Sequence, residues 1–74
     1  MNKNEIGKNA GIVWRLLENH TIMKYDELKQ RSQLSDRELS AAIGWLAREN
    51  KLDIDVNDKG EYDQFHLPLY NLFY

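Results

Sequence analysis

Ile6, Ala10, Val13 and Leu17 recur at steps of four, three and four, the spacing that stacks side chains along one helix face. This stripe predicts helix 1 over residues 4–18, ended by Asn19 and His20. Trp14 flanks the stripe, next to Gly7 and Gly11. Each interior glycine costs a helix about 1 kcal/mol relative to alanine, which makes sense where another backbone or a large ring comes close. Thr21-Ile22-Met23 reads as a short extended segment. Helix 2 follows over about 25–31, with Leu28 as its main core residue. Asp26 and Glu27 occupy its first turn, where carboxylates suit the helix dipole.

Ser35-Asp36-Arg37-Glu38 has the form of a capping box, in which Ser35 and Glu38 satisfy each other's free backbone N–H groups. It predicts helix 3 over about 36–49, with Leu39, Ala42, Ile43 and Leu46 on the buried face and Asn50 as C-terminal cap. The short connection Ser32-Gln33-Leu34 is then the turn of a helix-turn-helix. Beyond Asn50 the period changes from 3.6 to 2. Leu52, Ile54 and Val56 alternate with Asp53 and Asp55, the pattern of a half-buried strand. Asn57-Asp58-Lys59-Gly60 supplies a turn, and Glu61 to Leu67 returns as a second strand. In that strand Glu61 and Asp63 share a parity with Phe65 and Leu67, which a bulge or a shorter strand would reconcile. Three helices, a turn and a two-stranded hairpin give a mainly α fold with a small β-hairpin (α+β). This is the winged helix-turn-helix plan, expected as a single domain over residues 1–74.

A family resemblance rests on two strings. Ala10-Gly11-Ile12-Val13-Trp14 with Leu17, and Ile43-Gly44-Trp45-Leu46-Ala47-Arg48-Glu49, are similar to a group of short bacterial and archaeal winged helix-turn-helix domains of unknown function. The resemblance runs from about Glu5 to Leu67. It implies the fold and a place among DNA-binding-type domains, and it brings no ligand and no catalytic residue.

Charge complicates that expectation. Residues 1–32 hold six basic and four acidic side chains, residues 33–51 three of each, and residues 52–74 one basic and five acidic. A protein that grips DNA phosphates is usually basic on the contacting elements. Here the wing carries Asp53, Asp55, Asp58, Glu61 and Asp63 against Lys59 alone. These acids are expected to keep an edge hairpin soluble and unpaired; the spacing of a calcium-binding loop is absent.

The outward stripe of helix 3 holds Arg37, Ala41, Gly44 and Arg48, with Ser40 and Trp45 at its edges. Two arginines around a smooth centre suit guanine edges or phosphates in the major groove; the alternative is a pair of solvated arginines with acidic neighbours. Lys29 and Arg31 on helix 2 are candidate phosphate contacts. Trp45 is expected to stack under the wing or to meet a partner, since tryptophan is enriched in interface hot spots.

The segment Pro68-Leu69-Tyr70-Asn71-Leu72-Phe73-Tyr74 is largely apolar, and apolar surface of that size needs a cover. Either it folds over helix 1 near Trp14 or it crosses to a second subunit. A chain of 74 residues buries only roughly 60% of its unfolded surface, which favours self-association. Gly7, Gly11, Trp14, Trp45, Leu69, Tyr70, Leu72, Phe73 and Tyr74 are the candidate dimer or partner interface.

The remaining chemistry is sparse. With no cysteine, disulfides, iron–sulfur clusters and thiolate zinc sites are excluded, and a reducing cytoplasm is the expected compartment. His20 and His66 have no ligand pattern around them. No nucleophile pairs with a histidine at a usable spacing, so no catalytic, metal or cofactor-binding residue is expected. The polar start of the chain lacks a secretory signal, and no apolar run is long enough for a membrane span. The expected partners are a second copy, duplex DNA bound weakly, or another protein, with no membrane and no small-molecule ligand. Two functions stay open: a homodimeric DNA-binding regulator, or a dimeric protein-interaction module that keeps the fold without DNA.

Overall fold

The computed structural model describes residues 1–56 and 63–68. Helix α1 spans Lys3–Leu16, two residues short of the periodicity's reach, with the Asn2 side chain accepting the Glu5 N–H at 2.9 Å as its N-cap. It stops where Asn19 and His20 both turn left-handed, at φ 64° and 60°. Two residues of strand β1 (Met23–Lys24) lead into α2 (Tyr25–Ser32).

Gln33 ends α2 in the left-handed region, at φ 59°, so the turn of the helix-turn-helix comprises Gln33, Leu34 and Ser35. The Ser32 hydroxyl accepts the Leu34 N–H at 3.2 Å, and Leu34 is buried in the core. Both halves of the capping box at Ser35 and Glu38 form. The resulting helix, α3, spans Asp36–Arg48. Its other end is a Schellman closure. Asn50 sits at φ 58°, its N–H reaching Ala47 O, while Lys51 N–H reaches Leu46 O at 2.8 Å.

Strands β2 (Asp53–Asp55) and β3 (Gln64–His66) pair antiparallel, and β1 adds to the other side of β3. Among the described residues the sheet thus has three strands in the order β1-β3-β2, one more than the hairpin predicted. Met23 and Ile54 flank Phe65 on either side. The core is continuous from Val13 and Leu17 of the α1 region through Leu28, Leu39 and Leu46 to Phe65 and Leu67. Helix α1 packs mainly on α3, and also on α2.

The strand pattern needs two corrections. Leu52 is buried, but Ile54 and Val56, expected on the same covered face, are 39% and 67% exposed. Pro68, expected in the apolar tail, is fully buried. Strand β3 begins only at Gln64, so the parity conflict at Glu61 and Asp63 does not fall within it. The turn at Asn57–Gly60, with Asp58 and Lys59, lies outside the described residues, as do Glu61 and Leu69–Tyr74.

Candidate nucleic-acid and partner surfaces

Helix α3 turns Leu39, Ala42, Ile43 and Leu46 inward and leaves the opposite stripe open. Arg37, Ser40, Gly44 and Arg48 are exposed and Ala41 is half-buried. Arg37 and Arg48 make no ion pair with any described residue. Eleven residues of helix rise separate them by about 16 Å along the axis.

The α2 cations are engaged differently. Lys29 Nζ lies 3.0 Å from Asp36 Oδ2, and Arg31 Nε lies 3.1 Å from Glu27 Oε2. Asp36 also accepts the Tyr25 hydroxyl at 2.7 Å. Tyr25 and Lys29, four residues apart on α2, share a face that the turn sets against the first residue of α3. Donation to the carboxylate raises the pKa of the Tyr25 hydroxyl. The same hydrogen bond, followed by that from Lys29, lowers the pKa of Asp36. Hydrogen bonding and charge from Asp36 raise that of Lys29. Tyr25 and Asp36 were not among the residues singled out from the sequence; the shared face of Tyr25 and Lys29 was the available signal.

A second surface lies between α1 and α3. Gly7, Ala10, Gly11 and Trp14 form one wall of a groove of about 450 Å³, and Trp45 and Leu46 form the other. Lys51 closes one edge. Trp45 is 40% exposed and Trp14 half-buried. The structure thus brings Gly7, Gly11, Trp14 and Trp45 together. Among the described residues, a Cβ built at Gly7 or Gly11 meets no atom within 4 Å.

The Asp55 carboxylate of the wing meets a side chain of β3. His66 Nε2 lies 3.0 Å from Asp55 Oδ2, and His66 Nδ1 lies 2.9 Å from the Leu67 carbonyl oxygen. This pairing joins β2 to β3 and leaves Asp53 exposed on the same strand. Among the described residues, no group of three or more His, Cys, Asp or Glu side chains is placed to hold a metal. No described helix is long and apolar enough to cross a membrane.

Residues 1–64 match a family of winged helix-turn-helix domains, DUF2582. The chain belongs to this family. Among solved structures it is similar to protein BT2368 from Bacteroides thetaiotaomicron, with 36% identity and a TM-score of 0.77 over 90% of this chain and 79% of that one. It also resembles the PcaV transcriptional regulator from Streptomyces coelicolor, solved with its natural ligand. That likeness has a TM-score of 0.70 at 15% identity, covering 99% of this chain and 49% of PcaV. At such identity it is a likeness of fold, and the chain spans about half of PcaV. No curated protein matches the chain.

Proposed function

We propose that this winged-helix domain is a duplex-DNA-binding module of regulatory type, cytoplasmic and not an enzyme, that works as a homodimer. The observation that carries this reading is the outward stripe of α3, where Arg37 and Arg48 are exposed without an ionic partner among the described residues. In helix-turn-helix docking that stripe enters the major groove while the preceding helix crosses the backbone. Arg37 and Arg48 take base edges, with Ser40, Ala41 and Gly44 as the smooth contact between them. Lys29 and Arg31 reach phosphates only after leaving Asp36 and Glu27. Binding is therefore weak, with two to four phosphate contacts, which corresponds to a log–log salt slope of about −2 to −4. Anisotropy titration of the chain against random duplex DNA across a salt series tests this. Binding that weakens along that slope supports it, and no binding at low salt removes it.

A second reading has its own observation, the open groove between Trp14 and Trp45. A protein-interaction module would use that groove and leave the Arg37 and Arg48 stripe of α3 idle. A tight complex with a protein, insensitive to salt, together with no affinity for DNA, would establish it.

A further inference from the structure

Tyr25 opens α2 and Lys29 follows one turn later, so both side chains leave the same face of that helix. They converge on one anion. The Tyr25 hydroxyl donates to Asp36 Oδ1 at 2.7 Å, and Lys29 Nζ donates to Asp36 Oδ2 at 3.0 Å. Two donors thus take the two oxygens of a single carboxylate. A phosphodiester also offers two free oxygens on one atom, so the same pair of donors fits a phosphate of the DNA backbone. The two sides of the cluster are held differently. The Tyr25 ring is half-buried and packs against the core, which keeps its hydroxyl in place. The Asp36 side chain is 69% exposed, and an ion pair so open to solvent is held by little. Rotation of that one side chain clears both donors without moving either helix.

The cluster also stands where a phosphate contact is needed. In helix-turn-helix docking the helix before the recognition helix crosses the DNA backbone, and α2 holds that position. Ser40, in the outward stripe, lies one turn along α3 from Asp36 and is exposed. Asp36 has the largest effect on the Tyr25 hydroxyl, raising its pKa, and a hydrogen bond with the Ser40 side chain lowers it. The two donors therefore adjoin the surface that faces the groove.

We propose that Tyr25 and Lys29 form the seat for one backbone phosphate of duplex DNA, and that the Asp36 carboxylate holds this seat in the free domain as a built-in competitor. The proposal rests on the duplex-DNA reading and names a contact and its regulation within it. On binding, the Tyr25 hydroxyl exchanges one anion for another, so it adds little net affinity while Asp36 is present. With Asp36 removed, the hydroxyl exchanges water for a charged acceptor, and the same bond then favours the complex.

A cycle of four full-length chains tests this: wild type, Tyr25→Phe, Asp36→Ala and the double variant. Phenylalanine keeps the packed ring and removes only the hydroxyl, and Asp36 is exposed, so circular dichroism is expected to show all four equally helical. Each is titrated by anisotropy against one random duplex at low salt. Asp36→Ala is expected to bind more tightly than wild type. Tyr25→Phe is expected to change wild-type affinity little and to lower that of the Asp36→Ala chain by roughly three- to tenfold. The salt slope of the Asp36→Ala chain should stay the same when Tyr25→Phe is added, because a hydroxyl displaces no counterion. An equal loss from Tyr25→Phe in both backgrounds overturns the seat, since the tyrosine then only positions α3. So does a Tyr25→Phe change without effect in the Asp36→Ala chain. An Asp36→Ala chain that binds no better than wild type overturns the competitor. Each of these leaves duplex binding standing, whereas no binding by any of the four chains overturns the duplex-DNA reading and the seat with it.

Discussion

Lys29 on α2 and Asp36 at the start of α3 are joined at 3.0 Å across the turn of the helix-turn-helix. The bond has two consequences that pull apart. It ties the two helices that must keep a fixed angle in a DNA groove, and it occupies the cation nearest the backbone-crossing position. Asp36→Asn is expected to loosen the tie slightly, because both groups are solvent-facing and such pairs contribute little. The same change releases Lys29. Affinity for random duplex DNA should rise at low salt, and the salt slope should steepen by about 1 for one added phosphate contact. Unchanged affinity in the anisotropy titration would mean that Lys29 lies off the DNA path.

The tie is also a pH device of modest size. Asp36 has a depressed folded-state pKa, through Tyr25 first and Lys29 second. Its contribution is present above the ordinary carboxylate range and lost as pH falls through the depressed value. Lys29 has a raised pKa, so its share is complete below the ordinary lysine range and lost only as pH rises through the raised value. The difference in melting temperature between wild type and Asp36→Asn should therefore hold through neutral pH and vanish in strong acid. A difference that persists in acid would show that the bond acts through geometry alone.

Ser35 tests the cap in the same way. Its hydroxyl accepts the Glu38 N–H at 3.1 Å, and the Glu38 carboxylate accepts the Ser35 N–H at 2.9 Å. Ser35→Ala removes one half and is expected to cost about 1 kcal/mol. For a domain of this size that is a fall of roughly 4–8 °C in Tm. Glu38 is held below its ordinary pKa, chiefly by the Ser35 backbone N–H, so its half of the box is lost only as pH falls through that lowered value. A Ser35→Ala protein with an unchanged Tm would show that tertiary packing, not the cap, fixes the start of α3.

The cap and the α3 core face were legible because both are local. Ser35 and Glu38 are three residues apart, and Leu39, Ala42, Ile43 and Leu46 share a face by helical spacing alone. The period-2 run at Leu52, Ile54 and Val56 located a strand but not its cover, since all three residues of β2 are exposed. Leu52 belongs to the same buried core as Leu67, whereas β2 is an edge strand and Val56 lies beyond its last paired residue. Strand β1 contributes two residues, too few to carry a period. The Trp14–Trp45 groove depends on how α1 crosses α3, and no spacing within either helix encodes that. Arg37 and Arg48 were visible as a stripe. The pairing of Lys29 with Asp36 and of Arg31 with Glu27, which decides how much charge remains for DNA, required the packed turn and side-chain geometry.

Gly7 and Gly11 offer a substitution that should raise stability. Neither has positive φ, and both lie within α1 with open space at the Cβ position. Alanine at each is expected to stabilise the fold by about 1 kcal/mol, the helix-propensity difference. If the glycines serve close approach of a second copy, Gly7→Ala/Gly11→Ala should gain Tm at dilute concentration while its dimer weakens. Gains in both would mean that the glycines serve neither the fold nor the contact.

The last prediction separates the two arginine roles from the two α2 cations. Base contacts specify, and phosphate contacts position. Arg37→Ala/Arg48→Ala is therefore expected to abolish sequence preference in a selection from randomised duplexes. If both arginines read bases, each lost bidentate contact costs about 1–3 kcal/mol at its preferred site. Lys29→Glu/Arg31→Glu should weaken all sequences alike and flatten the salt slope, because those side chains can reach only the backbone. It also sets new carboxylates against Asp36 and Glu27, so a fall in Tm must be measured beside the binding. The control is Lys29→Ala/Arg31→Ala, which removes the charge without adding repulsion and should weaken binding less than the reversal. Should the α2 changes alter sequence preference while the α3 arginines prove silent, the domain would dock with α2 foremost. The exposed stripe of α3 would then be free for a partner of another kind.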